Sequence, residues 1–290
     1  MQNGFFWSQR IYHGPRGKFE KGPHCHHFRQ DDVEVESTLV HHIALGFKQV
    51  LVLAPRLPDI SDDVLIDVTT ITFDPFQKFA VRDAINRLMP HMAGSWVFTC
   101  FNAEYLYFPF SESRSFGELV AFHTEERRDS MLTYVVDAYA GDLTQAPDGV
   151  DRENAFLDKA GYYALARPDP ETHQPKDRQL DFFGGFKWRY EEFVPYERRK
   201  IDRIAIFKAR ADLKMSEDFC FSDEEYNTYT CPWHNNITTA LLSFRTAKAL
   251  RRNPTSREAI DDFTWVNSAR ITWTSQQLLD LGLIEPGQWF

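Results

Sequence analysis

Three oxygen-bearing side chains sit where apolar runs end. Residues 96–101 (WVFTCF) read as a buried strand that closes on Asn102-Ala103-Glu104 before an aromatic run resumes at Tyr105. Residues 131–141 (MLTYVVDAYAG) form a second such run and carry Asp137. Carboxylate and amide oxygens at such positions are ligands for a hard cation, Mg²⁺ or Mn²⁺, whose shell substrate phosphates complete. The same spacing equally suits a turn that starts at Asn102 and leaves Glu104 facing solvent.

A second group of chemistry-bearing residues is His24-Cys25-His26-His27, with His13, His41 and His42 nearby in the chain. Zinc needs three or four nitrogen or sulfur ligands converging tetrahedrally, usually from spaced pairs on two elements. Neighbouring histidines on an extended segment point in opposite directions, so loop histidines are the expectation and a metal role the alternative. His41 and His42 fall at the end of a predicted helix, where polar or positive groups complement the helix dipole. The sequence contains no G-x-S-x-G, no G-x-x-x-x-G-K-[ST] and no G-x-G-x-x-G after the first strand. Nucleophile-elbow, P-loop and dinucleotide chemistries are therefore set aside. The Gly184-Gly185 pair in FFGGFKW suits a tight turn or a close backbone approach to a ligand.

The elements that must hold these groups follow from periodicity. Residues 1–28 read as irregular, broken by Gly4, Gly14, Gly17, Gly22 and Pro23. Val35, Leu39, His42 or Ile43, and Leu45 recur at helical spacing, and Gly46 supplies a left-handed stop. The run 47–54 then continues as a buried strand and 64–73 as another. A helix is expected from Pro75, with Asp74 as its N-cap. The 96–101 strand, a helix over 115–126 and the 131–141 strand follow. Residues 142–180 read as loops, and 235–252 as one long helix with Ile237, Ala240, Leu241, Phe244, Ala247 and Leu250 on one face. Two shorter helical pieces end the chain, at SREAIDDFTW and SQQLLDLGL. Apolar strands alternating with amphipathic helices predict an α/β protein, a mostly parallel sheet with helices on both faces. In such sheets the ligand crevice lies at the carboxyl ends of strands.

With 290 residues, 43% of them hydrophobic, the chain can bury a large core, either one large α/β domain or two fused halves. The net charge of −9 disfavours nucleic acid as a partner. Local basic clusters, YERRKIDR and KALRRNP, suit solvated faces and could also hold a phosphate. Four dispersed cysteines without a C-x-x-C, an N-terminus without an apolar core and no spanning run predict a reduced, cytoplasmic protein without a transmembrane segment.

Several segments together, in order from about residue 29 to 285, resemble bacterial family-2-like glycosyltransferases. RQDDVEVESTLVHHIALGFKQVLVLAP is similar to that group's K-N-E…L-x-x-H-x-x-L-G-F-x-x-I-x-V-x-D-N opening, with Arg29-Gln30-Asp31 in place of Lys-Asn-Glu. Residues 76–122 resemble its Q-x-x-A block, its tryptophan strand ending in D-x-D-E-F-L and its S-L-x-E-L-L. YVVDAYAGD and FFGGFKWR are similar to D-x-Y-G and G-G-x-R-x-R, NITTALLSFRTAKAL to G-x-L-L-H-F-K-F, and SQQLLDLGLI to the C-terminal S-x-x-L-x-x-x-G-L.

The resemblance implies a GT-A fold, a Rossmann-like nucleotide-sugar-binding domain over 29–215. Residues 216–290 would form a helical region packed on that domain, and 1–28 an irregular lead. It implies sugar transfer from a nucleoside-diphosphate donor to a glycan or glycoconjugate acceptor, with Mn²⁺ or Mg²⁺ held at D-x-D. Asn102 and Glu104 would then meet the metal or diphosphate, Asp31 the nucleotide, and Asp137 would be the acceptor-side base, with Glu104 beside it in catalysis. The sequence departs from the pattern, because the D-x-D positions become Phe101-Asn102-Ala103 or Asn102-Ala103-Glu104 according to register. Ser243 stands for the family histidine, and Ala54-Pro55 for D-N. A metal-independent route would need cationic donors, for which Arg29, Lys187, Arg189 and Arg82 are candidates. A non-catalytic descendant, keeping the fold for binding or scaffolding, is the alternative.

Overall fold

The computed structural model describes residues 19, 21–56 and 59–289. Much of the expected 1–28 lead, His13 included, lies outside the described residues. In chain order the elements are β1 (His24–Phe28), α1 (Val35–Ala44), β2 (Gln49–Ala54), α2 (Asp62–Ile66), β3 (Val68–Thr72), α3 (Ala80–Leu88), β4 (Trp96–Phe101), β5 (Glu104–Tyr107) and α4 (Phe116–Glu125). Then come β6 (Ser130–Ala140), β7 (Ala155–Asp158), β8 (Tyr162–Pro168), β9 (Pro175–Gly184), α5 (Gly185–Arg189) and β10 (Asp202–Lys208). The chain closes with β11 (Thr239–Ser243), α6 (Arg245–Arg252), α7 (Pro254–Ala259), β12 (Ser268–Arg270) and α8 (Ser275–Asp280).

These elements divide into two compact units. The first comprises the described residues up to Ala103 with Ser115–Val120 and Ala205–Asp223; the second comprises Glu104–Arg114, Ala121–Ile204 and the described residues from Glu224 onward. One division falls between Ala103 and Glu104 and another inside β10.

In the first unit β3, β2, β1 and β4 lie side by side, all parallel, and the end of β10 joins β4 antiparallel. The fold class is accordingly mixed α/β with a mostly parallel sheet, as expected. β2 and β4 are apolar and almost wholly buried, as strands inside a parallel sheet are. β1 corrects the irregular reading of 1–28, since His24–Phe28 is a fully buried strand paired on both sides. Its histidines disguise it, because polar side chains rarely occupy a central strand. α1 forms as expected, burying Val35, Thr38, Leu39 and His42, and Gly46 follows it at φ +82°. The expected helix start at Pro75 is displaced to Ala80: Asp74 Oδ1 accepts from the Phe76 N–H at 3.0 Å, a local turn that competes with helix. Part of the expected 64–73 strand is instead helical, in α2.

The second unit runs β12, β7, β6, β11, β5, with only the β6–β11 pair parallel. The expected single helix over 235–252 is a strand followed by a helix. β11 is buried at every residue and paired on both sides, and α6 begins only at Arg245. A short apolar run has no period that separates a central strand from a helix, and β-branched Thr238 and Thr239 were the counter-signal. The expected loops of 142–180 contain β7 and the β8–β9 hairpin, whose β8 is largely exposed and so lacks a buried stripe. Behind β6, Tyr139, Phe186, Ala247, Leu250, Ile260 and Phe263 form a core cluster, with Tyr139 and Phe186 stacked at 4.6 Å. Among the described residues no helix is long and apolar enough to cross a membrane.

Candidate active site

In the second unit a polar row crosses three adjacent strands. Ser243 on β11 is the register partner of Glu104 on β5 and, on its other side, of Asp137 on β6. Register partners project to the same face. Glu104, Ser243 and Asp137 therefore stand in line, with exposures of 0%, 0% and 4%.

The residues around the row neutralise it unequally. Glu104 accepts from Arg203 through Oε2 and from the Ser243 hydroxyl through Oε1 at 3.2 Å, and Arg245 Nη1 lies 3.8 Å from Oε1. Asp137 accepts from the Thr246 hydroxyl at 2.6 Å. Burial pushes the Asp137 carboxyl above the usual range, opposed mainly by the positive charge of Lys187. Burial also pulls the Lys187 ammonium down, with Asp137 acting the other way. Lys187 is anchored through Nζ to the Lys200 carbonyl at 2.9 Å. The two carboxylates are thus inside, while Lys187, Arg203 and Arg245 retain partial exposure.

At Gly184-Gly185 the backbone approaches residues 161–162 of its own chain, which helps to place Lys187. Gly184 has φ +125°, and a Cβ there would stand 2.1 Å from the Gly161 carbonyl oxygen. One at Gly185 would meet the Tyr162 ring at 2.7 Å. Only glycine lets β9 pass into α5 against residues 161–162.

Arg189 does not join this row. Its Nε donates to Asp158 at 2.8 Å and its Nη2 to the Phe263 carbonyl at 2.8 Å, with its guanidinium over Tyr139, Phe186 and Trp265. Asp158 also accepts from the Tyr139 hydroxyl and the Trp265 indole, so this pair ties α5 into the core.

The other expected residues belong to the first unit. Asn102 accepts from the Gln30 N–H through Oδ1 at 3.0 Å and donates to Asp31 Oδ1 and to the Val33 carbonyl. It therefore fastens the turn after β1. Arg29, 4% exposed, pairs with Asp32 and donates to the Arg56 carbonyl at 3.2 Å. Arg82 pairs with Asp83 and Glu217 and covers Phe79. The oxygens of Asn102 and Glu104 are thus engaged by N–H and O–H donors, and Glu104 faces two guanidinium groups. Such a donor set does not fit a divalent cation, which needs unclaimed, net-negative oxygens.

Arg203, Arg245, Ser243 and Thr246 complete the site without having been singled out for it. Arg203 ends the basic cluster YERRKIDR, and Ser243 lies within the segment NITTALLSFRTAKAL. Arg245 and Thr246 carried no sequence signal. The chain matches no protein-family model, and no curated protein matches it.

Proposed function

We propose that the protein is a glycosyltransferase of GT-A type that moves a sugar from a nucleoside-diphosphate donor to an acceptor hydroxyl without a divalent ion. The observation that carries this reading is the pairing, in one place, of a buried carboxylate of raised basicity with three partly exposed cations. In direct displacement the acceptor oxygen attacks the anomeric carbon, the bond from that carbon to the diphosphate oxygen breaks, and the acceptor proton passes to Asp137. A base with a raised pKa is better matched to that proton than an ordinary carboxylate. The leaving diphosphate gains negative charge, which Arg203, Arg245 and Lys187 would neutralise where a D-x-D enzyme uses its metal. Glu104 orients the two arginines, with Ser243 between the carboxylates.

The test is calorimetric titration with UDP, GDP and TDP, with and without Mn²⁺, followed by donor turnover. Binding of one nucleotide, unchanged by Mn²⁺ and weakened about tenfold or more in Arg245→Ala, is the expected result. No nucleotide binding under any condition overturns the reading.

The second reading is a binding protein of the same ancestry, favoured by the engagement of Asn102 and Glu104. Nucleotide binding in wild type without any donor turnover would select it, whereas turnover unaffected in Asp137→Asn would keep the transferase reading and remove Asp137 as its base.

A further inference from the structure

The first unit holds a different set of donors. Cys25 on β1, Cys100 on β4 and His42 on α1 each bring one ligand atom within 4.8 Å of the other two, and all three side chains are fully buried. His27 lies opposite Cys100 in the parallel register of β1 and β4, so Cys25, His27 and Cys100 share one face of the sheet. His42 faces them from α1, with Nδ1 4.0 Å from Cys100 Sγ. His24 and His26, by the same alternation, stand on the opposite face.

A fully buried imidazole is costly unless its polar atoms are satisfied. Nε2 of His42 has no hydrogen-bond partner. The thiols, with no disulfide among them, are equally sequestered. Core packing alone would be served by apolar residues at all these positions. Two sulfurs and one or two imidazoles are instead the set that selects a thiophilic ion.

We infer that Cys25, Cys100 and His42, with His27 as fourth donor, bind a single zinc ion between α1 and the β1–β4 pair. Zinc–sulfur and zinc–nitrogen bonds of about 2.3 and 2.0 Å place tetrahedral donors roughly 3.3–3.8 Å apart. The ligand atoms of Cys25, Cys100 and His42, within 4.8 Å of one another, would draw together on the ion, and His27 would turn in from the β1 position opposite Cys100. Binding converts both thiols to thiolates and releases two protons to solvent. The site is structural: it has no open position, and it joins a helix to the centre of the sheet. The inference is independent of sugar transfer and stands if that reading fails.

The experiment is metal analysis of the purified full-length protein, then removal of the metal and reloading with Co²⁺. The expected result is about one zinc per chain and, on reloading, an absorption band from thiolate-to-cobalt charge transfer. Cys100→Ser and His42→Ala should retain the metal at least about tenfold more weakly. Wild-type protein that is folded by circular dichroism, carries only trace metal and gives no thiolate–cobalt band overturns the site. So does zinc whose retention is unaltered in the Cys25→Ser/Cys100→Ser variant, because it would then lie elsewhere. The wild-type measurements decide even where a variant fails to fold.

Discussion

Ser243 Oγ donates to Glu104 Oε1 at 3.2 Å from the strand that separates Glu104 from Asp137. One small hydroxyl thus lies between two buried carboxylates. Their different fates, one matched by arginines and the other left basic, are the chemical asymmetry of the site.

That asymmetry predicts how stability responds at Glu104. Arg203→Ala removes the partner of its Oε2 and leaves a buried carboxylate undercompensated, which costs about 3–5 kcal/mol. Glu104→Gln in the Arg203→Ala background should recover much of that loss, because the uncompensated charge is gone. Urea denaturation of the two variants and wild type measures both effects. An Arg203→Ala cost below about 1 kcal/mol, the level of an exposed ion pair, would refute the matched-charge reading.

Asp137 predicts a pH profile. Its carboxyl is raised by burial, and the base form is the ionised one, so turnover should rise with pH through a value above the ordinary carboxylate range. Asp137→Asn should lower turnover by about 10²–10⁴-fold while leaving nucleotide affinity near wild type. Rate measurements across acid pH on both proteins check the prediction, and an unchanged profile in the variant removes Asp137 from the reaction.

The glycine at the β9–α5 junction predicts a steric threshold. Gly184→Ala places a Cβ against the Gly161 carbonyl at a left-handed φ, for a loss of about 3 kcal/mol or more. Gly161→Ala, also left-handed but with nothing within 4 Å of the added methyl, should cost only about 1–2 kcal/mol. Thermal melts of the pair separate close approach from backbone strain.

His123 predicts an acid sensitivity unrelated to the site. Burial lowers its pKa from 6.5 to about 4, with the Ser130 carbonyl bonded to Nε2 at 2.8 Å and Arg128 and Glu126 as charged neighbours. Between those values the unfolded chain binds a proton that the folded chain refuses, so stability falls as pH falls. The contribution is about 1.4 kcal/mol per pH unit and roughly 3 kcal/mol in all. In His123→Gln this term is absent, so wild type should lose more stability than the variant between pH 7 and 4. Denaturant midpoints at both pH values read it directly.

The parts of this protein legible in the chain were those whose cause is local. α1 and its Gly46 stop follow from periodicity and a left-handed cap, and β2, β4 and β6 from apolar runs of strand length. Asp137 and Lys187 were named as site residues from the sequence, and the structure brings them to one cluster. Parallel strands were legible because helices alternate with them.

What depended on long-range pairing was not legible. TALLS reads as a helical face until β5 and β6 flank it, and HCHHF reads as a loop until β2 and β4 enclose it. Asn102 and Glu104 are separated by one residue, yet the first serves the turn after β1 and the second faces Arg203, 99 positions away. Cys25 and Cys100 approach only because β1 and β4 are neighbours. A sequence specifies which groups can ionise, donate or ligate; strand order and register decide which of them share a face, and that pairing of distant residues sets both the charge balance around Asp137 and the donor set around His42.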